Sequence, residues 1–136
     1  MNNLKIFVYG TLKPGECNYQ RYCALKVVEA KRAIAYGQLY HLSLGYPGMI
    51  LGDGQVQGFL LTFRDSTIFD SLDQLEDYDP NRRPEDNEYN REPIEVYDQA
   101  GQSLGLAWVY FMTLAKVQDF QGIHIPSGCW SRDVYI

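Results

Sequence analysis

The sequence IFVYGTLKPG, residues 6–15, joins a β-rich run to a glycine and a proline-containing turn. With the residues before it, this run predicts a strand over residues 4–9 that ends at Gly10. Glycine tolerates a positive φ and lets a ligand approach bare backbone, so the amides that follow it are suited to cradle an anion. The nucleotide-phosphate pattern GxxxxGK followed by Ser or Thr is absent. Two interpretations stay open at this point: a plain turn that ends a strand, and a loop that binds a ligand.

Further strands are predicted along the chain from this first one. β-branched and aromatic residues alternate, or form short apolar runs, over residues 27–42, 55–63, 92–97 and 104–112. Gly37 is a candidate for a bulge in the first of these runs. Turn residues at 45–48 and 52–54 predict two hairpin-like connections, and those at 99–102 predict a third.

One helix is predicted over residues 67–77, with Ser66 as its N-cap. Its four apolar side chains fall on one side of a 3.6-residue turn, and Glu76 lies only about 50° from their centre. The other polar side chains are predicted to point away from the core: Asp70, Asp73, Gln74 and Asp77. An inward carboxylate needs partners or a raised pKa. The alternative is that Glu76 belongs to a frayed last turn and reaches solvent.

Length and composition predict a single domain over residues 1–136. The chain has 46% hydrophobic and 21% charged residues, and it contains no internal repeat or linker. About six strands and one helix favour an α+β fold with a mainly antiparallel, barrel-like sheet over alternating βαβ units.

Charge and cysteine content argue against several classes of protein. Twelve Lys and Arg against 17 Asp and Glu give a net charge of −5, which does not favour nucleic acid as a partner. No apolar stretch approaches the ~20 residues of a membrane span, so we expect a soluble protein without a membrane partner. Cys17, Cys23 and Cys129 form no CxxC pair and suggest a reducing cytoplasm. Neither His41 nor His124 is spaced for zinc, so no metal is expected.

Four segments together resemble the gamma-glutamylcyclotransferase-like family, and specifically its AIG2-like branch, which acts on gamma-glutamylamines. They are FVYGTL (7–12), LGYPGM (44–49), LDQLEDYD (72–79) and YNREPIEV (89–96). The resemblance extends over nearly the whole chain, through AWVY (107–110) to SGCW (127–130). It implies a small, mainly antiparallel β-barrel with flanking helices. The reaction that it implies expels an amine from a γ-glutamyl amide and leaves 5-oxoproline.

By position, the resemblance implies that Glu76 is the catalytic residue and that Tyr9, Gly10, Thr11 and Leu12 hold the substrate. Asp77 stands where many relatives have glycine. In this reaction the α-amine of the substrate attacks its own side-chain amide, so we expect no cofactor and no separate nucleophile. A single carboxylate can serve as base and then as acid. Tyr89 is a further candidate, whose hydroxyl would point into the pocket or whose ring would be packing.

Other interpretations are kept beside this one. The same barrel could bind a γ-glutamyl group or another carboxylate without turnover, or bind a partner protein. Cys17 or Cys23 could act as a nucleophile, although no histidine shows a partner pattern. Trp108 and Tyr110 are predicted to be barrel packing, and Arg91 to form an ion pair. Residues 79–90 are expected to form a mobile loop, either a lid or a solvated connection. The leaving amine and the oligomeric state are left open.

Overall fold

The structure is a computed structural model that describes residues 3–135. It contains a six-stranded sheet and three short α-helices. The strands are β1 (Leu4–Val8), β2 (Val27–His41), β3 (Pro47–Phe63), β4 (Asn90–Tyr97), β5 (Ser103–Phe111) and β6 (Ile123–His124). The helices are α1 (Ile68–Leu75), α2 (Leu114–Asp119) and α3 (Arg132–Tyr135), and a π-helical turn at Tyr19–Cys23 and a 3-10 turn at Pro84–Asp86 complete the fold. No helix within residues 3–135 has the length and apolar character to cross a membrane.

The sheet curls until its pairing almost closes. Its strand order is β3-β1-β5-β4-β2-β6, and β2 also pairs with β3. All pairs are antiparallel except β1 with β5. The junction between β2 and β4 is a single residue pair, Ile34 with Tyr97, so the barrel is not strictly closed. The predicted α+β class with a mainly antiparallel, barrel-like sheet is confirmed.

The long hairpin of β2 and β3 differs from the prediction in one place. Its turn covers residues 42–46 and so overlaps the predicted stretch 45–48, although Pro47 and Gly48 already pair with His41 and Tyr40. Leu42 N–H donates to the Tyr46 carbonyl at 3.0 Å. The second predicted turn, at residues 52–54, is wrong. Tyr36 pairs with Gln55 and Gly37 pairs with Leu51, so residues 52–54 form a bulge inside one continuous strand. The extra residues lie opposite Gly37, where a bulge was predicted, and they bend the hairpin without ending it.

Strand β1 is buried on both faces because two apolar layers cover it. Ile6 and Val8 pack in a cluster with helix α1, whereas Phe7 and Tyr9 belong to the cluster inside the barrel. Successive side chains of a strand point to opposite faces, which places these pairs in different layers. The end of β1, and therefore the turn at Gly10, is fixed between the two parts of the core.

Helix α1 is shorter than predicted and begins later. It spans Ile68–Leu75, and its N-cap is Thr67, not Ser66. The side chain of Asp65 accepts hydrogen bonds from the Thr67 N–H and hydroxyl, which organises the turn before the helix. The predicted apolar face is confirmed for Ile68, Phe69 and Leu72, which are buried.

Asp73 was predicted to point away from the core, and this is wrong. Its carboxylate accepts hydrogen bonds from Arg91 at 2.8 and 3.1 Å and from the Tyr110 hydroxyl at 2.6 Å. The Arg91 guanidinium also lies 3.8 Å from the centre of the Phe69 ring. The ion pair predicted for Arg91 is therefore present, and it ties α1 to β4 and β5. Tyr110 is buried packing as expected, with its hydroxyl used by Asp73.

Candidate active site

A small cavity opens where the end of β1, the β2–β3 turn and the end of α1 meet. Every predicted site residue lines it, together with residues that the sequence did not single out. The lining residues are Phe7, Val8, Tyr9, Gly10, Thr11, Leu12, Tyr46, Pro47, Glu76, Tyr89 and Tyr110. Tyr46 and Pro47 lie in LGYPGM (44–49), one of the segments that carry the family resemblance. That resemblance was the one feature of the sequence that could have identified them as cavity residues.

Glu76 reaches the cavity from the C-cap position of α1. Its N–H donates to the Leu72 carbonyl at 2.9 Å, and its carbonyl accepts from the Tyr89 N–H at 3.3 Å. The main chain around Glu76 is thus fixed on both sides. No hydrogen bond or ion pair engages its carboxyl group anywhere in residues 3–135. The main chain at the end of the helix is therefore not frayed, while the residue keeps an intermediate exposure.

The surroundings of Glu76 raise the pKa of its carboxyl group from 4.5 to about 8. Desolvation is the larger cause, and the negative charge of Glu88 adds to it. The residue keeps an intermediate exposure and lines the cavity together with Tyr9, Tyr46, Tyr89 and Tyr110. Both causes disfavour the charged form of the carboxyl group.

The side chain of Tyr9 is committed to the fold. Its hydroxyl donates to the Tyr110 carbonyl at 2.7 Å and accepts from the Met49 N–H at 3.2 Å. Burial, with the nearby Glu76, raises the pKa of Tyr9 far above its ordinary value. Tyr9 thus joins β1, β3 and β5 beneath the cavity and offers a substrate its ring and not its hydroxyl.

Residues 10–12 present main-chain N–H groups that the protein leaves unused. The turn is held from the other side, because the Gly10 carbonyl accepts from Lys13 N–H at 3.0 Å and the Thr11 carbonyl accepts from Asn18 N–H at 2.9 Å. Asn18 also donates from its side chain to the Thr11 hydroxyl. No acceptor within residues 3–135 takes the N–H groups of Gly10, Thr11 or Leu12. Gly10, Thr11 and Leu12 line the same cavity as Glu76.

Gly10 is required by a close approach and not by the positive φ that the sequence suggested. Its φ is not among the positive values of this chain. A Cβ atom at this position would lie 2.6 Å from Cγ and 3.0 Å from Cδ of Pro47. The proline ring cannot swing away as a flexible side chain would, so only glycine lets the two sides of the cavity meet.

The C-terminal segment supports the turn from behind. Lys13 is buried, and its ammonium group donates a hydrogen bond to the Trp130 carbonyl. The Trp130 indole N–H in turn donates to Nδ1 of His41 at 3.1 Å. His41 was assigned no chemistry from the sequence, and here it has a structural contact. These bonds link the turn after Gly10 to the end of the chain and to β2.

Tyr89 lines the cavity, but its hydroxyl does not enter it freely. The hydroxyl donates to the Pro47 carbonyl at 2.6 Å, and the side chain is only 3% exposed. Burial raises the pKa of Tyr89 well above its ordinary value. Tyr89 therefore holds Pro47 in position against Gly10 and supplies an aromatic wall, which supports the packing interpretation.

The segment over residues 79–90, which was expected to be a mobile loop, contains a network of hydrogen bonds. Asn87 is buried and bonds both the N–H and the carbonyl of Asp79 through its side chain, at 3.1 and 3.2 Å. Its amide also donates to Asn90 at 2.9 Å. Glu88 N–H donates to the Asp77 carbonyl at 3.2 Å. A buried amide can satisfy several backbone groups at once, and this network keeps the segment against the end of α1.

Asp77 has a backbone conformation that favours glycine, the residue that the sequence resemblance implies for many relatives at this position. Its φ is +54°, a left-handed value that favours glycine at the end of a helix. Arg82 donates to both the carbonyl and the carboxylate of Asp77, at 2.8 and 3.0 Å. The helix ends with the expected geometry although the residue is aspartate.

The cysteine-nucleophile alternative finds no support at the cavity. Cys17 and Cys129 are exposed, and Cys23 is buried. Burial, together with Glu76, raises the pKa of Cys23 to about 11, so its thiol stays protonated. None of the three lines the cavity. Within residues 3–135 there is also no group of three or more His, Cys, Asp or Glu side chains arranged to hold a metal ion.

Comparison with known proteins identifies the family of the chain. Residues 6–132 match the family described as gamma-glutamyl cyclotransferase, AIG2-like. The chain is 34% identical over 107 residues to the gamma-L-glutamyl-butirosin B gamma-glutamyl cyclotransferase of Niallia circulans, which covers 77% of this chain and 65% of that protein. A Vibrio cholerae protein whose name gives gamma-glutamylcyclotransferase as a provisional assignment is 34% identical over 134 residues, 95% of this chain and 96% of the relative.

The fold is also found among solved structures. The crystal structure of an AIG2-like protein from Mus musculus superposes with a TM-score of 0.71 over 96% of this chain and 90% of that one, at 22% sequence identity. At this identity the likeness concerns the fold alone. The family match runs from β1 through the cavity residues to the C-terminal segment that supports the turn at Gly10, so the chain belongs to the gamma-glutamyl cyclotransferase, AIG2-like family.

Proposed function

We propose that this protein is a γ-glutamyl cyclotransferase that releases an amine from a γ-glutamyl amide and forms 5-oxoproline. One observation carries the proposal: an unpartnered carboxyl group, that of Glu76, shares a cavity with three unused main-chain N–H groups at residues 10–12. A general acid–base and a set of hydrogen-bond donors are the two tools that this ring closure needs.

The first task of the site is to hold the glutamyl group in a folded conformation. The α-nitrogen of the substrate must approach its own side-chain amide carbon, and restraint in this geometry can supply an effective molarity of ~10⁵–10⁸ M. The N–H groups of Gly10, Thr11 and Leu12 would bind the substrate carboxylate or the oxyanion that forms at the amide. The rings of Tyr9 and Tyr89 would confine the apolar carbons between them.

The second task is proton transfer, which Glu76 would perform in two steps. The carboxylate takes a proton from the α-ammonium group, and the freed amine forms the new C–N bond to the amide carbon. A tetrahedral intermediate results, with negative charge on the former carbonyl oxygen. The Glu76 carboxyl then gives its proton to the departing nitrogen and the original C–N bond breaks. The regenerated carboxylate takes the second proton of the positively charged ring nitrogen and passes it to the free amine, so that neutral lactam (5-oxoproline) and an ammonium product leave. No oxidant, metal or cofactor enters this balance.

We expect purified protein to release 5-oxoproline from at least one member of a panel of γ-glutamyl dipeptides and γ-glutamylamines. Mass spectrometry would follow 5-oxoproline and the free amine together, because cyclisation produces them in equal amounts. Hydrolysis would give glutamate in place of 5-oxoproline and would contradict the proposed chemistry. Binding of γ-glutamyl compounds without any product would favour the noncatalytic alternative in which the barrel only holds its ligand.

The pH dependence of kcat/KM is expected to reflect the raised pKa of Glu76. Below pH about 8 the free enzyme carries this group protonated, so kcat/KM should rise with pH, up to tenfold per unit, until the group has ionised. At higher pH, loss of the proton from the substrate α-ammonium would lower it again. Replacing Glu88 by glutamine removes a negative neighbour and should move the rising limb to lower pH. A rise of kcat/KM near pH 4.5 would instead indicate that Glu76 is solvated and has an ordinary pKa, and it would contradict this prediction.

The setting proposed for this reaction follows from the composition of the chain. Its three cysteines are all free thiols in the structure, in keeping with the reducing cytoplasm proposed from their spacing. The partner that we propose is a small γ-glutamyl molecule and not a nucleic acid, because the net charge of −5 gives no support to binding phosphates.

A further inference from the structure

Four tyrosine side chains line the cavity together with Glu76, and within residues 3–135 none of their hydroxyls donates a hydrogen bond to it. They are Tyr9, Tyr46, Tyr89 and Tyr110. Two of the hydroxyls donate to main-chain carbonyls and two donate to other carboxylates. A tyrosine hydroxyl is a donor that favours the charged form of a carboxyl group when it bonds to it. The four donors of this cavity are all bonded elsewhere.

Tyr110 is the one of these tyrosines whose acceptor lies on the same helix as Glu76. Its hydroxyl donates to Oδ1 of Asp73 at 2.6 Å. Asp73 precedes Glu76 by three positions, and the Cβ atoms of residues spaced in this way on a helix are about 5–6 Å apart. Burial first, then Asp73, and then the charge of Glu76 raise the pKa of Tyr110. The Tyr110 hydroxyl is thus close enough to feel both carboxyl groups, and it is bonded to Asp73.

Arg91 fixes Asp73 in the orientation that accepts this hydroxyl. Its guanidinium donates to both carboxylate oxygens, at 2.8 and 3.1 Å, and lies 4.8 Å from the centre of the Trp108 ring and 3.8 Å from that of Phe69. Arg91 and Tyr110 pair directly across β4 and β5, so their side chains share one face of the sheet. A carboxylate gripped by two donors keeps a defined geometry and binds a hydroxyl more strongly than a neutral acceptor does.

The groups that act electrostatically on Glu76 come from every element around the cavity. Asp73 and Asp77, on its own helix end, are paired with Arg91 and Arg82. The others are Tyr9, Cys23, Tyr46, Glu88, Tyr89 and Tyr110. Burial is the largest cause that raises the pKa of each of these tyrosines and of the thiol, and Glu76 contributes to it. They are therefore uncharged when Glu76 titrates, and a change in its hydrogen bonding can be measured against a constant background.

We propose that Asp73, held by Arg91, is a positioning residue of the site: by binding the Tyr110 hydroxyl it withholds this donor from Glu76 and leaves the Glu76 carboxyl free for the substrate. A hydroxyl bonded to Glu76 would stabilise its carboxylate, make it a weaker base and compete with the α-ammonium group. This inference rests on the proposed function, because a free carboxyl group matters here only if it transfers protons.

The titration of Glu76 in the substrate-free protein tests the proposal. With ¹³C in the glutamate carboxyl groups, the Glu76 signal is the one that disappears from the NMR spectrum of Glu76→Gln. Asp73→Ala removes the acceptor, so the Tyr110 hydroxyl can turn to Glu76, and we expect the pKa of Glu76 to fall by about one unit or more. This variant also removes a negative charge and leaves Arg91 without its partner, so a second substitution must isolate the hydroxyl.

Tyr110→Phe isolates the hydroxyl, and Asp73→Asn is the matched control for charge. With Asp73 present, Tyr110→Phe should leave the pKa of Glu76 where it is, because the hydroxyl is already bonded. Combined with Asp73→Ala, it should raise that pKa again by about one unit. Asp73→Asn loses the same charge but keeps a carbonyl oxygen that accepts hydrogen bonds, so it should lower the pKa of Glu76 less than Asp73→Ala does.

The kinetics should follow the titration. In Asp73→Ala the rising limb of kcat/KM should move to lower pH by the amount seen in the spectrum, and Tyr110→Phe should return it. The loss should fall on kcat and not on KM, because the N–H groups proposed to hold the glutamyl portion are at residues 10–12. A merely structural role of Asp73 would lower the folded fraction and leave the position of the limb unchanged.

The outcomes separate this inference from the proposed function. An equal effect of Tyr110→Phe on the pKa of Glu76 with and without Asp73 would overturn the role of Asp73. A rise in that pKa on Tyr110→Phe alone would do the same, since the hydroxyl would then already bond to Glu76. Should Asp73→Ala not fold, Asp73→Leu, which fills the space without an acceptor, takes its place. Release of 5-oxoproline from none of a wide panel would contradict the function, and the titration, which needs no substrate, would still show which carboxyl group the hydroxyl binds.

Discussion

Glu76→Gln is expected to lower the rate of 5-oxoproline release by ~10²–10⁴-fold, the usual contribution of a positioned general acid–base. Glutamine keeps the size of the side chain but can neither take the proton from the α-ammonium group nor return it to the departing amine. The effect should fall mainly on kcat, because the groups that hold the glutamyl portion are elsewhere, at residues 10–12. Single-turnover measurements with a substrate from the panel would separate kcat from binding.

The stability of Glu76→Gln supplies the control for this experiment. A carboxyl group with a pKa of about 8 in the folded protein and 4.5 in its ordinary state keeps its proton longer when folded. Between these pH values the unfolded chain binds fewer protons, so the free energy of unfolding falls as pH rises, by at most about 5 kcal/mol in total. The glutamine variant does not titrate there.

We therefore expect Glu76→Gln to match the wild type near pH 4 and to be more stable than it at pH 9. Urea denaturation at both pH values would measure the difference. A variant that is folded, stabilised at high pH and inactive would establish that Glu76 is retained for its chemistry at a cost in stability. Undiminished turnover by this variant would end the assignment of Glu76 as the catalytic group.

Gly10→Val is expected to reduce kcat/KM by ~10²–10³-fold, the cost that is typical for losing an oxyanion donor. The new side chain would overlap the Pro47 ring, because even a Cβ atom would lie 2.6 Å from its Cγ. Either the turn or Pro47 must move, and in both cases we expect the main-chain N–H groups of residues 10–12 to shift relative to Glu76. Gly10→Ala should show the same loss in weaker form.

Gly15→Ala is a control from the same turn, because it should lower stability without lowering activity. Gly15 has a φ of +92° but no atom near its missing side chain, so alanine there is strained without touching the cavity. We expect this variant to lose about 1 kcal/mol of stability and to keep its kcat/KM. Equal loss of activity in the Gly10 and Gly15 variants would mean that the turn acts through stability alone and not through the alignment of its N–H groups.

Much of the site was accessible from the sequence because its signals are local. The 3.6-residue period placed Glu76 on the inner side of α1, and the strand that ends at Gly10 placed the unused N–H groups next to a turn. Both features depend on neighbouring residues only. The resemblance added the link between the two segments, which periodicity alone does not provide.

The predictions from sequence that proved wrong concern residues whose contacts lie far away in the chain. Asp73 was assigned to solvent because its helical angle points away from the four apolar side chains, yet Arg91 and Tyr110 reach it from β4 and β5. Residues 52–54 have the composition of a turn, but pairing of β2 with β3 on both sides makes them a bulge. Asn87 lies in a charged, proline-containing stretch that gives no sign of its burial.

One physical reason separates the features that the sequence predicted from those that only the tertiary structure decided. Helical period, strand alternation and the backbone freedom of glycine are properties of a short stretch of chain, so the residues themselves specified the fold class, the inward carboxyl of Glu76 and the turn at Gly10. The tertiary structure then determined which tyrosine hydroxyls form hydrogen bonds within the protein and which main-chain N–H groups have no acceptor there. The hydroxyls of Tyr9 and Tyr89 donate to carbonyl groups of distant strands, and the Tyr46 hydroxyl donates to Glu88. Those assignments required the curled sheet, because it alone brings their partners within hydrogen-bond distance.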